Sequence, residues 1–182
     1  MQVGAVQPLQ VGEQRVMSGI RKQAVHGPVA VRALGLAGDE QAALSVHGGL
    51  SKAVYAYPVE HYEFWLEHRR GLGLSTDLPY GSLGENLTVS DVLESSLYVG
   101  DELRFPDCVL RVTQPRAPCY KLNAAMDDPT AGRTMARSGY SGFYLAVELP
   151  GSVMAGQAFD VIEGPRETAL MTLFRSVRAK HA

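Results

Sequence analysis

The sequence predicts a mainly β (α+β) domain, a β-barrel or sandwich carrying a few helices, with a decorated barrel the better fit. Three observations lead there. Short apolar stretches, some β-branched, recur along most of the chain. Glycine- and proline-rich turns separate them. Strong helical patterns mark one internal and one terminal segment.

Taken in order, residues 3–6, 29–34 and 53–57 read as short strands, the last ended by Pro58. A helix follows. Pro58 suits its first turn, Glu60 and Glu63 suit its positive end, and Arg69 and Arg70 suit its negative end. Gly71 is expected to close it in a left-handed conformation. Tyr62, Trp65, Leu66 and Arg69 share one side at helical spacing, and the aromatic members are expected to pack on the sheet. Gly71, Gly73, Pro79, Gly81 and Gly84 then break the chain. Further strands are expected at 87–89, 97–105, 108–113, 143–149 and 158–162. In the 108–113 segment Val109, Arg111 and Thr113 alternate with Leu110 and Val112. Residues 167–180 read as a helix with an apolar stripe of Leu170, Leu173, Phe174 and Val177. That stripe must be covered by the barrel, by a partner chain, or by helices outside this sequence. The expected division is a barrel domain over 1–165 and a C-terminal helix over 166–182.

The composition narrows the function classes. Hydrophobic residues make up 46% of the 182, enough for a core, and 20% charged residues do not describe a disordered chain. A net charge of -2 argues against a general binder of nucleic acid or of membrane surfaces, so an anionic ligand needs a local basic cluster. No apolar run reaches the roughly 20 residues that cross a bilayer. Residues 1–15 lack the basic start and apolar stretch of a signal peptide. With only Cys108 and Cys119, no disulfide framework is implied, and a reducing cytoplasm is the expected location.

Three stretches could carry chemistry. In Gln114-Pro115-Arg116-Ala117-Pro118-Cys119-Tyr120-Lys121-Leu122-Asn123, two prolines fix a turn after a strand, and a helix can begin near Tyr120. A thiol at that point, beside Arg116 or Lys121, is favoured as thiolate. It could serve as a nucleophile or as a ligand for a soft or high-valent metal. A buried structural cysteine fits the same local residues, and both readings stand at this point. Cys108, inside an apolar strand, reads as structural. The second stretch, from Gly38 to Gly49, holds Asp39 and His47, followed by Gly48 and Gly49, with Lys52 close behind. The glycine N–H groups could form an anion nest, and Asp39 could orient or exchange protons with His47. A glycine turn with a surface histidine fits equally. The third, Gly81 to Thr88, places Glu85 and Asn86 at a glycine turn before a strand, where they bind polar groups or simply form the turn.

Other chemistries lack their spacing. There is no C-x-x-C, H-E-x-x-H or G-x-S-x-G, and Gly71-Leu72-Gly73 does not follow a strand. His61 and His68 are seven apart, too far for a helical metal pair.

The ordered set of motifs resembles the MOSC family, the molybdenum cofactor sulfurase C-terminal domains, and within it the YiiM-like bacterial branch. The matching residues are Ser18-Gly19-Ile20 with Lys22, Gly38-Asp39-Glu40-Gln41-Ala42, His47-Gly48-Gly49 with Lys52-Ala53-Val54, and Tyr57-Pro58 with Glu60-His61-Tyr62. They continue with Gly84-Glu85-Asn86-Leu87, Gly100-Asp101, Gln114-Pro115-Arg116 with Cys119, Lys121 and Leu122, and Gly142-Phe143-Tyr144. The resemblance implies a closed barrel and a molybdenum cofactor (molybdopterin), with Cys119 as the metal ligand; pyridoxal phosphate is not expected. It also implies reduction of small N-hydroxylated substrates such as hydroxylaminopurine bases. On that reading Cys119, Asp39, His47 and Glu85 carry the chemistry, the last three as proton donors or substrate contacts. Lys22, Gly48, Gly49, Lys52, Asn86, Arg116 and Lys121 would hold the cofactor. A separate electron-donor protein of the flavin-reductase type is expected, because two cysteines cannot hold an iron–sulfur cluster on four thiolates. No nucleic-acid polymer and no membrane is expected as a partner, and homodimerisation through the terminal stripe is one expected arrangement. The rival readings are a cofactor or sulfur carrier without turnover, and a metal-free barrel with a redox thiol.

Three features depart from the family pattern. Ala43 stands where an aspartate is common, and Tyr140 and Ala146 stand where arginines are common. The helices after the barrel are reduced to one.

Overall fold

The computed structural model describes residues 1–42 and 48–179, with 177–179 described as backbone only. The first strands are β1 (Gln2–Val3), β2 (Gln7–Val11), β3 (Gln14–Ser18), β4 (Gln23–Ala24), β5 (Val29–Arg32) and β6 (Gly35–Leu36). Next come β7 (Val54–Pro58), helix α1 (Tyr62–Gly71), β8 (Leu87–Val89), β9 (Glu102–Arg104) and β10 (Val109–Pro115). Helices α2 (Tyr120–Ala125) and α3 (Ala131–Ser138) lead into β11 (Phe143–Leu149), β12 (Gly151–Val153), β13 (Asp160–Ile162) and α4 (Leu170–Ala179).

The main sheet has six strands in the order β13-β9-β10-β11-β7-β8, and a smaller sheet runs β12-β5-β6. All main-sheet pairs are antiparallel except β7 with β8. The mainly β architecture with few helices is as the sequence predicts. The sheet curls into a half-barrel; its edge strands β13 and β8 are not paired with each other among the described residues. The curl is enough to wrap one core. Val29, Val31 and Leu36 of the small sheet meet Leu103, Leu110, Val112, Phe143 and Leu145 of the large one.

β7 shows why the aromatic residues collect on one side. Alternate residues of a strand face opposite ways. Val54 and Ala56 therefore enter the barrel core, while Tyr55 and Tyr57 enter a second cluster with Tyr62, Trp65, Leu83, Leu122 and Met135 under the helices. The expected packing of α1 on the sheet is this cluster. Trp65 Nε1 donates to the Tyr57 hydroxyl at 2.7 Å, which satisfies the buried indole.

Several local expectations need correction. One 3-10 turn, Val59–His61, separates Pro58 from α1. The helix runs through Gly71, and Gly73 (φ +69) closes it: Gly73 N donates to Arg70 and Leu74 N to Arg69, a Schellman pattern. The strand expected at 97–105 shrinks to β9, because Gly100 (φ +98) and Asp101 form a turn. Asp101, buried, accepts from Tyr98 N and from Arg166, tying the terminal segment to that turn. The hairpin β2–β3 and helix α3 are additional elements. Leu170 and Phe174 of the terminal stripe bury against the sheet, with Leu170 N donating to Leu97 O at 2.9 Å. Among the described residues no helix is long and apolar enough to cross a membrane.

Candidate functional site: the Cys119 cleft

The cleft forms where β10 ends. Register shifts interrupt the β10–β11 ladder around Thr113, whose hydroxyl contacts Ser51 O (2.6 Å) and Tyr144 O (3.0 Å). Bulges of this kind re-aim the residues beyond them. Pro115 then ends the strand and Arg116 turns inward, almost fully buried. Cys119 follows in an extended conformation (φ -126, ψ 157) immediately before α2. It is half-buried and faces a cleft that opens to solvent.

Four basic side chains line the cleft, Lys22, Lys52, Arg116 and Lys121, against two carboxylates, Asp39 and Glu40. Lys22 Nζ lies 2.5 Å from Asp39 Oδ1, with side chains only 6% and 4% exposed. The same Oδ1 accepts from Gly4 N at 2.8 Å. Burial lowers the Lys22 pKa, aided by the Arg116 charge and opposed by Asp39. Arg116 donates to Leu83 O and lies 4.7 Å from the centre of the Tyr55 ring. Burial alone would disfavour its charge, but Tyr55, Tyr144 and Cys119 outweigh burial and raise its pKa. Lys121 reaches Met17 O at 2.9 Å, and Lys52 lies 5.8 Å from the centre of the Tyr144 ring. The Tyr144 phenol is pushed up by burial and by Cys119, against Arg116, so it keeps its proton.

Not every motif residue serves the cleft. Glu85 is fully buried, and its carboxylate accepts from the Tyr62 hydroxyl, Gly81 N (2.7 Å), Leu83 N (3.2 Å) and Thr88 Oγ1 (3.0 Å). It braces its own turn and acts on Lys22 only through its charge. Asn86 lines the cleft, yet its side chain accepts from Tyr55 N at 3.0 Å and donates to Gln2 O at 3.3 Å, fastening β7 to the N-terminal segment. Gly48 and Gly49 are half-buried just before the turn carrying Lys52, and Gly49 N is given to Gln41 Oε1 at 3.2 Å. His47 and Ala43 lie outside the described residues. Tyr140 stacks on His61 at 3.9 Å, and Ala146 is buried in β11.

Sequence reading gave no site role to Tyr55, nor to Tyr144 beyond its place in the Gly142-Phe143-Tyr144 motif, yet both form part of the cleft wall. A tyrosine on an apolar strand gives no sign of which face it takes. It also passed over Gln41 as a brace, whose amide nitrogen lies 3.3 Å from Lys52 O while its oxygen accepts from Gly49.

The donor set fits a pterin-bound metal. Among the described residues no group of three or more His, Cys, Asp or Glu side chains converges as a metal site. A metal here would bring its other ligands with it and take one sulfur, Cys119, from the protein. The surrounding cations and the phenol of Tyr144 suit an anionic, hydrogen-bonding organic group.

Comparison with known proteins identifies the family and the fold. Residues 43–160 match the model of the MOSC domain. The chain is 37% identical to protein YiiM of Escherichia coli over 145 residues, 80% of this chain and 64% of that one. It is 34% identical over 169 residues to a Gibberella moniliformis protein named "Reductase", covering 91% of this chain but 29% of that protein. It therefore spans less than two thirds of either relative. The crystal structure of YiiM from Geobacillus stearothermophilus superposes with a TM-score of 0.76 at 27% identity, covering 99% of this chain and 82% of that one. With the family model spanning most of the chain and the YiiM fold reproduced over 99% of it, the chain belongs to the MOSC domain family.

Proposed function

We propose that the protein holds a molybdenum cofactor in the Cys119 cleft, with the Cys119 sulfur as its ligand to the metal, and reduces small N-hydroxylated compounds there. Hydroxylaminopurine bases are the expected substrates among them. The observation that carries this reading is a thiol and four basic side chains around one cleft. Membership of the MOSC family and the name of the fungal relative support it.

The bound group would supply the two-electron step that converts N–OH to N–H with loss of water. The chain's own residues would bind and orient. Arg116, Lys52 and Lys121 would offset the negative charge of the cofactor's phosphate. Lys22 contributes less net charge, since Asp39 already neutralises it at 2.5 Å; the pair would fix hydrogen-bond directions at the wall. Tyr144, kept protonated, would donate a hydrogen bond to the substrate oxygen or to the cofactor. Asp39 is a wall carboxylate that can exchange protons through Lys22. Electrons would come from a separate donor protein of the flavin-reductase type.

Metal and pterin analysis of protein made in a cofactor-competent host tests the reading, with Cys119→Ala alongside. Molybdenum near one per chain, lost in the variant, is expected. A loaded sample should then reduce hydroxylaminopurine or benzamidoxime with an artificial electron donor. Full molybdenum content in Cys119→Ala would sink the ligand assignment. A loaded protein that reduces neither compound would leave the cofactor- or sulfur-carrier reading in its place.

A further inference from the structure

Glu94 and His61 lie outside the cleft and are 3% and 7% exposed. Glu94 Oε2 sits 2.7 Å from His61 Nε2, and Glu94 Oε1 accepts from Gly142 N at 2.6 Å. His61 also stacks flat on Tyr140, centroids 3.9 Å apart and planes within 10°. This buried pair thus grips both ends of the tripeptide 140–142.

The tripeptide in turn holds the cleft wall. Its three successive carbonyls all accept from that wall or its support. Tyr140 O takes the Tyr57 hydroxyl at 3.1 Å, Ser141 O takes the Tyr55 hydroxyl at 2.8 Å, and Gly142 O takes Arg116 N at 3.3 Å. Gly142 has φ +64, and a Cβ there would lie 2.5 Å from Ala56 O, 2.7 Å from the Tyr55 ring and 2.8 Å from the Tyr57 ring. The segment is therefore wedged between the two tyrosines with little freedom to shift. Tyr55 supports the Arg116 guanidinium, and Arg116 is coupled electrostatically to Cys119.

We propose that Glu94 and His61 are positioning residues for the Tyr55–Arg116–Cys119 wall, acting through the backbone of residues 140–142. Neither touches the reacting groups. A buried acid that spends one oxygen on a backbone N–H and the other on an imidazole fixes that backbone in two directions. The inference rests on the cleft being the functional site, but it concerns the protein without cofactor and is tested there.

Two readouts on cofactor-free protein decide it: the alkylation rate of Cys119 by iodoacetamide at one fixed pH, and the Nε–H resonance of Arg116. Glu94→Ala is expected to slow alkylation by about 2- to 30-fold, the range for residues acting through a shared network, and to move the Arg116 resonance. Glu94→Gln keeps an acceptor for Gly142 N and should restore most of both. Val31→Ala, in the other core, controls for lost stability alone and should leave both unchanged. If Glu94→Ala does not fold, His61→Phe keeps a ring on Tyr140, removes the nitrogen facing Glu94, and should shift both readouts the same way. Wild-type alkylation and resonance in folded Glu94→Ala, or in His61→Phe where Glu94→Ala does not fold, would overturn the proposal, as would equal changes in Val31→Ala.

Discussion

Asp39→Ala is expected to cost about 3–5 kcal/mol of stability, the usual loss when one member of a buried ion pair is removed. The magnitude follows from exposure. Surface pairs are worth about 1 kcal/mol or less because water screens them, but here the two side chains are 6% and 4% exposed. Removing the carboxylate strands the Lys22 charge and also deprives Gly4 N of its acceptor. The pH dependence has a definite sign. Burial already lowers the Lys22 pKa in the native state, with Arg116 adding to the effect and Asp39 opposing it. Without Asp39 it falls further. The deficit should be full below the folded pKa of Lys22, where the lysine is charged in both folded and unfolded chains. It should shrink as pH rises through the folded pKa, because the native protein then sheds the proton before the unfolded chain does. Urea denaturation at a series of pH values from neutral upwards gives both quantities. Replacing both residues, Lys22→Met with Asp39→Leu, should recover most of the loss, since an apolar pair of similar volume is tolerated where a lone charge is not. A loss below about 1 kcal/mol in Asp39→Ala, or a deficit that does not change with pH, would refute the buried-pair account.

Other outcomes follow from single residues. Gly142→Ala puts a side chain at φ +64 and 2.5 Å from Ala56 O; a loss of about 2 kcal/mol is expected, seen as a melting point about 4–8 °C lower by calorimetry. The Cys108 thiol is buried, and burial with the nearby Asp107 pushes its pKa up to about 11. Peptide mass mapping after brief alkylation of the folded protein near neutral pH should therefore find label on Cys119 and little on Cys108. Burial alone would raise the Asp128 pKa, but hydrogen bonds from Thr130 and His68 outweigh it and hold it below the ordinary value. Its contribution is present above the usual carboxylate range and is lost as pH falls through the lowered pKa. Asp128→Asn should accordingly flatten that part of the acid-denaturation profile, and an unchanged profile would contradict the assignment.

What could be read in advance depended on periodicity. Strands β10 and β11 were legible because Leu110, Val112, Phe143 and Leu145 recur at the spacing that fills one face. The hairpin β2–β3 was not, because polar and apolar residues are mixed and most are exposed, with Leu9 and Ser18 the buried members. Its visible mark was Gly12 (φ +57) in the two-residue turn between the paired Val11 and Gln14. Helix α3 was hidden by its length and by having only Ala131 and Met135 turned inward. In the site, the charged residues announced themselves through glycine and proline turns, and the cleft gathers Lys22, Asp39, Lys52, Arg116, Cys119 and Lys121. The tripeptide behind them was marked by Tyr140 and Gly142, but its bracing role was not legible, since its bonds run from its backbone to residues tens of positions away.

Asp39 and Glu85 show what separates a cleft carboxylate from a structural one. Both follow a glycine, and both are deeply buried. Glu85 finds three of its donors within four residues, at Gly81 N, Leu83 N and Thr88 Oγ1. Donors so close in sequence belong to the turn itself, so most of the carboxylate's partners are local. The side chain of Asp39 instead takes distant donors, Gly4 N and Lys22 Nζ, 35 and 17 residues away. Its geometry is set by tertiary packing, which places it on the wall beside Lys22 and opposite charge to Arg116. Replacing Glu85 should therefore act first on folding, through the 81–88 turn, whereas replacing Asp39 should, besides its cost in stability, act directly on the charge pattern of the cleft. Glu85→Gln retains acceptor oxygen for one set of backbone donors and leaves the cleft cations in place, so a folded Glu85→Gln protein that binds phosphate like wild type, beside an Asp39→Asn protein that does not, is the result this division requires.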